Sequence, residues 1–215
     1  AVTGVQTCAL PISRHLHATG IPAALSLSAR ELSSHLMTAM REAGRSVSFD
    51  PNLRPSLWSN QAQMISEINR LAVLAHWVMP GLTEGALLTG YEDPEDMAAF
   101  YLDQGVEAVV IKLGAKGAYY RTQMDQGFVA GVPVVNVVDT VGAGDGFAVG
   151  VISALLENQG FTQAVARGNW IGSRAVQNRG DMEGLPLRAQ LLAAEPADEP
   201  RRRQIGRASC RERVS

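Results

Sequence analysis

The run Asp139-Thr140-Val141-Gly142-Ala143-Gly144-Asp145 brings small residues and an acid into one short stretch. Gly142, Ala143 and Gly144 let a backbone turn sharply and carry bare N–H groups up to a ligand. Where such a turn opens a helix, those N–H groups stand at its positive end, which favours negative charge. Asp145 adds a carboxylate in the same turn. A backbone anion cradle beside a carboxylate suits phosphoryl transfer. The cradle holds developing negative charge, and the carboxylate takes the proton of an attacking hydroxyl. A plain strand-to-helix turn capped by Asp145 would use the same residue types, so the turn alone leaves both readings open.

The stretch carries neither of two widespread nucleotide motifs. Gly-x-x-x-x-Gly-Lys-Ser/Thr does not occur, and Gly142, Gly144 and Gly146 do not space as Gly-x-Gly-x-x-Gly. It does resemble the C-terminal signature of the ribokinase/phosphofructokinase-B family of sugar kinases, Asp-Thr-x-Gly-Ala-Gly-Asp. The resemblance implies that Gly142, Ala143 and Gly144 form the anion hole. It implies that Asp145 is the catalytic base, activating a sugar hydroxyl for attack on the γ-phosphate of ATP. ATP with Mg²⁺ is the implied cofactor, and Thr140 and Gly144 fall on the nucleotide side.

A second informative stretch runs from Phe49 to Trp58, Phe-Asp-Pro-Asn-Leu-Arg-Pro-Ser-Leu-Trp. Pro51 and Pro55 stiffen it, so Asn52 and Arg54 sit on a rigid loop. A guanidinium there can clamp a carboxylate at two points, as lysine cannot. A structural Arg–Asp pair with Trp58 in the core is the competing reading. The stretch resembles the loop by which the 2-keto-3-deoxygluconate kinases of the family hold the sugar-acid carboxylate, a role that falls here on Arg54. Residues 111–118 resemble the family's strand and glycine turn beside the nucleotide. They make Lys112, Gly114 and Gly117 nucleotide-side candidates, with solvated lysines in a hairpin turn as the alternative.

Glu84 matches the acid of the family's Asn-x-x-Glu motif, which organises Mg²⁺ and phosphate, but Gly81 stands where Asn is expected. Glu84 is therefore expected to act on the metal through water, or to be a first-turn helix acid. Asp181 matches a C-terminal acid that contacts the sugar, and could equally be a solvated residue in a turn. Asn169 lies on the helix that borders the adenine site in the family. His15 and His17 share a strand face, yet no third metal ligand is evident, and a structural role is expected for both.

These residues need elements to hold them. Residues 132–138 read as a buried β-branched strand, and 147–156 as a buried helix. Further strands are expected at 15–20, 46–49, 76–79 and 107–113, with paired strands at 117–121 and 127–130. Helices are expected at 28–43, 61–75, 83–88, 94–104, 162–178 and 187–194. Strands alternating with helices make an α/β fold with a mainly parallel sheet covered on both faces. In such folds ligands bind at the carboxyl ends of the strands. Asp50, Gly81, Gly114 and Asp139 all fall at or after strand ends. The resemblance implies the ribokinase-like version of this fold.

The 215-residue chain is 46% hydrophobic, enough for one domain with a real core. Its net charge of −2 gives no reason to expect nucleic acid or a membrane surface as partner. Cys8 and Cys210 have no framework or metal spacing, and a reducing, cytoplasmic setting is expected. Residues 1–13 and 201–215 resemble translated arms of a sequencing adapter and are set aside as non-native. Removing them leaves 13 basic and 20 acidic residues, a net of −7. The native part, 14–200, then reads as the C-terminal part of a sugar kinase domain whose N-terminal portion and lid are missing. The expected function is ATP-dependent phosphorylation of 2-keto-3-deoxygluconate. The alternatives are a fructose, tagatose or ribose kinase, or an inactive fragment. The expected partners are the sugar or sugar acid and ATP, with a homo-oligomeric parent protein.

Overall fold

The computed structural model describes residues 12–180 and 182–194. The chain divides into two units, Ala1–Leu185 and Pro186–Ser215. In the second, the described element is a short helix, α8 (Arg188–Ala194). The remaining elements belong to the first.

That first unit is built on a six-stranded sheet with its strands in chain order. Strands β1 (His15–Thr19), β2 (Ser46–Asp50), β3 (Trp77–Val78) and β4 (Ala108–Lys112) run parallel. The hairpin strands β5 (Gly117–Thr122) and β6 (Gln126–Ala130) complete the sheet antiparallel. Helices α1 (Ile21–Leu25) and α2 (Leu27–Glu42) follow β1, and α3 (Gln61–Ala72) follows β2. Helices α4 (Leu82–Thr89) and α5 (Pro94–Leu102) link β3 to β4. Helices α6 (Ala143–Leu156) and α7 (Phe161–Ala175) come after the hairpin.

Alternation along each strand sorts side chains to two faces. Val47, Phe49, Val78, Val109 and Ile111 face one core, together with Met37, Ile68 and Tyr101 of the helices. Burying each such side chain contributes about 1.5–3 kcal/mol, far more than the tenths separating most helix propensities. Packing therefore holds these helices. On the opposite face, Met79, Val110 and Tyr120 meet Phe147, Val151 and Val165 of α6 and α7.

Three expectations are corrected. Residues 132–138 form no strand, and Val135, Val137 and Val138 are exposed. Pro133 has no N–H to give a ladder, and the N–H groups of Val138 and Asp139 both go to the carbonyl of Val176 instead. The helix after the signature starts at Ala143 rather than at residue 147, because Gly142 takes a left-handed φ of 75° and opens it early. Helix α2 starts at Leu27, one residue before the expected start. Ser26 is its cap, accepting the Ala29 N–H at 3.1 Å.

Helices α6 and α7 touch backbone to backbone at two glycines. A Cβ on Gly150 would lie 2.6 Å from Gly168 Cα, closer than any real packing contact. Gly150→Ala is expected to push α6 off α7 and to cost about 1–3 kcal/mol of stability, read as a lower urea midpoint at unchanged slope.

Candidate active site

The four parallel strands deliver their carboxyl ends to one edge. Asp50 ends β2 and Lys112 ends β4. Gly81, just past β3, makes an isolated parallel bridge to Lys112. The signature turn joins them there, since a Cβ on Gly144 would lie 3.8 Å from Lys112 Nζ.

The signature turn is a helix start without a side-chain cap. Gly142 is the N-cap, no side chain accepts from the first-turn N–H groups, and Asp145 is the third helical residue. The Ala143 N–H reaches back to the Thr140 carbonyl at 3.4 Å, and the other orphan donors of the helix start have no side-chain partner among the described residues. The Asp139 carboxylate holds the turn from its other side, accepting the Val141 N–H at 3.0 Å. Asp145 and Thr140 are exposed. Asp145 caps nothing in this arrangement.

Lys112 pairs with Asp50, whose side chain is 2% exposed. Burial pushes the Asp50 carboxyl above the ordinary carboxylate range, while the Lys112 charge and hydrogen bond pull the other way. The other carboxylate oxygen of Asp50 accepts the Asn52 N–H at 3.2 Å. Glu84 does similar service nearby. Its Oε1 accepts the Leu53 N–H at 2.7 Å, and its Oε2 accepts the Gly81 N–H at 2.8 Å. The loop carrying Arg54 is therefore held by two carboxylates, one from β2 and one from α4. Arg54 itself is exposed. Its guanidinium donates to the Leu53 carbonyl at 2.9 Å and makes no ion pair among the described residues. The structural Arg–Asp pair is absent there, and Trp58 lies under Arg30 rather than Arg54, 4.7 Å from guanidinium carbon to ring centre.

The remaining candidates separate by what they touch. Gly114 is exposed at φ 60° with no atom near its would-be Cβ. Gly117 is buried, and its would-be Cβ would strike the Val129 carbonyl of β6, so packing alone accounts for its glycine. The Asn169 amide donates to the Val129 and Ala130 carbonyls at 3.0 and 3.1 Å, tying α7 to β6. Asp181 lies outside the described residues. Among the described residues, no cluster of three or more acids, histidines or cysteines is poised for a metal. In the sequence Asp50 is a strand-end acid without an assigned role, because a lone acid there carries no local signal of a lysine 62 positions away.

His15 and His17 share a face, as expected, and are hydrogen-bonded within the sheet. His15 Nδ1 and Nε2 lie 2.8 Å from the Ser46 and Ser48 hydroxyls, and His17 Nδ1 lies 2.8 Å from Ser48. The His15 ring also stacks on Trp77. Burial, with His17 and His76 adding to it, takes the His15 pKa from 6.5 down to about 4. Burial also lowers His17, with Asp145 opposing and Lys112 assisting, which puts that ring within electrostatic reach of the site. The folded chain thus leaves His15 unprotonated where the unfolded chain protonates it. Between pH 6.5 and about 4, unfolding takes up a proton and stability falls as the pH is lowered. The melting temperature is expected to drop across that window, and His15→Gln is expected to flatten the dependence in thermal melts.

Residues 6–188 match the pfkB family of carbohydrate kinases. The chain is 55% identical over 179 residues to the 2-dehydro-3-deoxygluconokinase of Bacillus subtilis, spanning 83% of this chain and 55% of that protein. Its fold matches the crystal structure of a PfkB protein from Polaromonas sp. JS666 with a TM-score of 0.80 and 51% identity, covering 89% of this chain and 60% of that one. It also matches the fructokinase of Vibrio cholerae O395, solved with fructose, ADP and calcium ion bound. There the TM-score is 0.77 and the identity 34%, over 83% of this chain and 59% of the other. The chain thus spans little more than half the length of these relatives. Among the described residues, no helix is long and apolar enough to cross a membrane.

Proposed function

Because the chain belongs to the pfkB family of carbohydrate kinases, we propose that it forms the phosphoryl-transfer half of an ATP-dependent kinase acting on 2-keto-3-deoxygluconate. The observation that carries the proposal is the uncapped start of α6, with Asp145 in its first turn and the Lys112 ammonium against Gly144. Free N–H groups at a helix start plus a fixed cation fit the phosphates of a nucleotide. The likeness to a named 2-dehydro-3-deoxygluconokinase supports the choice of sugar acid. So does the exposed guanidinium of Arg54 on its clamped loop, which makes no ion pair among the described residues.

ATP bound here would supply the phosphoryl group, and Mg²⁺ would neutralise charge on it. This chain's own residues do the rest. The Asp145 carboxylate takes the proton of the sugar hydroxyl, freeing its oxygen to attack phosphorus. The N–H groups at 142–144 and the Lys112 ammonium hold the negative charge that builds up. Arg54 grips the sugar carboxylate at two points, and Asp181 orients the hydroxyl end. Thr140, ahead of α6, and Gly114, between β4 and β5, flank the nucleotide. Both Glu84 oxygens already accept N–H groups, so Glu84 would help to hold Mg²⁺ through water rather than as a direct ligand.

The remaining length of such a kinase would supply the cover that excludes water. The 215-residue chain alone is therefore expected to turn over little sugar, and assays belong in a chimaera completed with the unmatched part of the Bacillus subtilis relative. In that chimaera, Asp145→Asn is expected to lower kcat by about 10²–10⁴-fold. Undiminished turnover would remove Asp145 from the mechanism. Arg54→Ala is expected to raise the KM for 2-keto-3-deoxygluconate by about tenfold or more, the worth of a charged hydrogen bond. An unchanged KM together with efficient use of fructose would turn the assignment to a neutral-sugar kinase.

A further inference from the structure

Lys112 and Asp50 end strands that are not neighbours. β3 lies between them, so the side-chain pair passes over its carboxyl end. Each partner has a second neighbour. The Lys112 ammonium faces Gly144 of the signature turn, 3.8 Å from where a Cβ on that glycine would stand. The Asp50 carboxylate also receives the N–H of Asn52, at a φ of 38°, where the arginine loop begins. The Asp50 carbonyl accepts the Gly20 N–H at 3.0 Å, which anchors the same residue to the end of β1. One buried acid thus connects the loop assigned to the sugar acid with the cation assigned to phosphate.

We propose that Asp50 is a positioning residue that acts through Lys112, setting the arginine loop and the phosphate turn relative to each other. The inference rests on the functional reading above for what the two loops bind, and on the structure for how they are joined. Lysine carries a compact charge on a flexible four-carbon stem. Without an acceptor it would sample many rotamers and leave the turn. A nearly buried carboxylate holds it in one place, because separating the two would leave a charge unpaired in a low dielectric. Asp50 has both oxygens engaged, so a change at Lys112 is passed to Asn52 without any direct contact between the loops.

The test starts with the 215-residue chain and amide hydrogen exchange, which needs no ligand. Asp50→Asn keeps the shape and removes the charge. It is expected to speed exchange about tenfold at residues 52–54 and also at 142–145, where loss of a buried pair opens local structure. Lys112→Met is expected to loosen the same two segments. The double variant, which leaves no unpaired charge, is expected to be no worse than either single change and keeps the comparison valid if Lys112→Met alone fails to fold. Exchange that rises at 52–54 while 142–145 stays unchanged in Asp50→Asn would overturn the coupling. So would additive effects of the two substitutions. In the completed kinase, Asp50→Asn is expected to raise KM for both ATP and the sugar acid, and Lys112→Met mainly that for ATP. A lower melting temperature with both constants unchanged would reduce Asp50 to a structural residue. Asp145→Asn separates the two claims, since it tests the chemistry and is expected to leave exchange at 52–54 untouched.

Discussion

Parallel strand direction is the constraint on which everything else depends. Because β1 to β4 run the same way, the chain leaves each of them at the same edge. Residues far apart in sequence then meet without any long connection. Asp50, Gly81 and Lys112 share that edge, and Gly144 is brought to it by α6. An antiparallel arrangement would have sent half of these to the far side. The antiparallel hairpin of β5 and β6 does send its turn residues, Met124 among them, away from Lys112.

A parallel sheet needs both faces covered, and the two faces here are covered differently. One is an apolar core shared with the first five helices. Among the described residues, the other meets α6 and α7 through apolar contacts, while its β1 and β2 portion carries His15, His17, Ser46 and Ser48 in one hydrogen-bonded group. Polar groups of this kind are stable away from water only when satisfied. The shared Ser48 hydroxyl does that for both rings. The same close fit governs α6. Gly150 against Gly168 lets the helix approach α7, and at the turn itself Gly172 of α7 leaves room for the Ala143 carbonyl.

The carboxylates near the edge divide their work by what they touch. Asp50 and Glu84 accept backbone N–H groups and hold the Arg54 loop in place. Asp139 holds the signature turn. Asp145 is exposed and caps nothing. Asp145 interacts with the positive end of α6 without making a cap hydrogen bond, and its neighbours carry the hydrogen bonds that hold the turn.

Much of the site was legible in the sequence because its signals are local. The glycines of the signature demand a turn, the apolar run after them demands a buried helix, and alternating strands and helices demand a parallel sheet. The prolines around Arg54 announce a stiff loop in the same way. Other decisions were not local. The β-branched run at 132–138 had the composition of a strand but found no strand beside it among the described residues, and its Val138 N–H went to the Val176 carbonyl, as did that of Asp139 just after it. Glu84, whose spacing marks it as a metal-side acid, also clamps Leu53 and Gly81, which its spacing did not announce. Asn169 spent its amide on β6. The pairing of Lys112 with Asp50 required strand order and register, which no window of residues contains. Turn chemistry and apolar periodicity act over a few positions and can be read in order. Which charge finds which partner is settled only when the sheet has closed the distance between them.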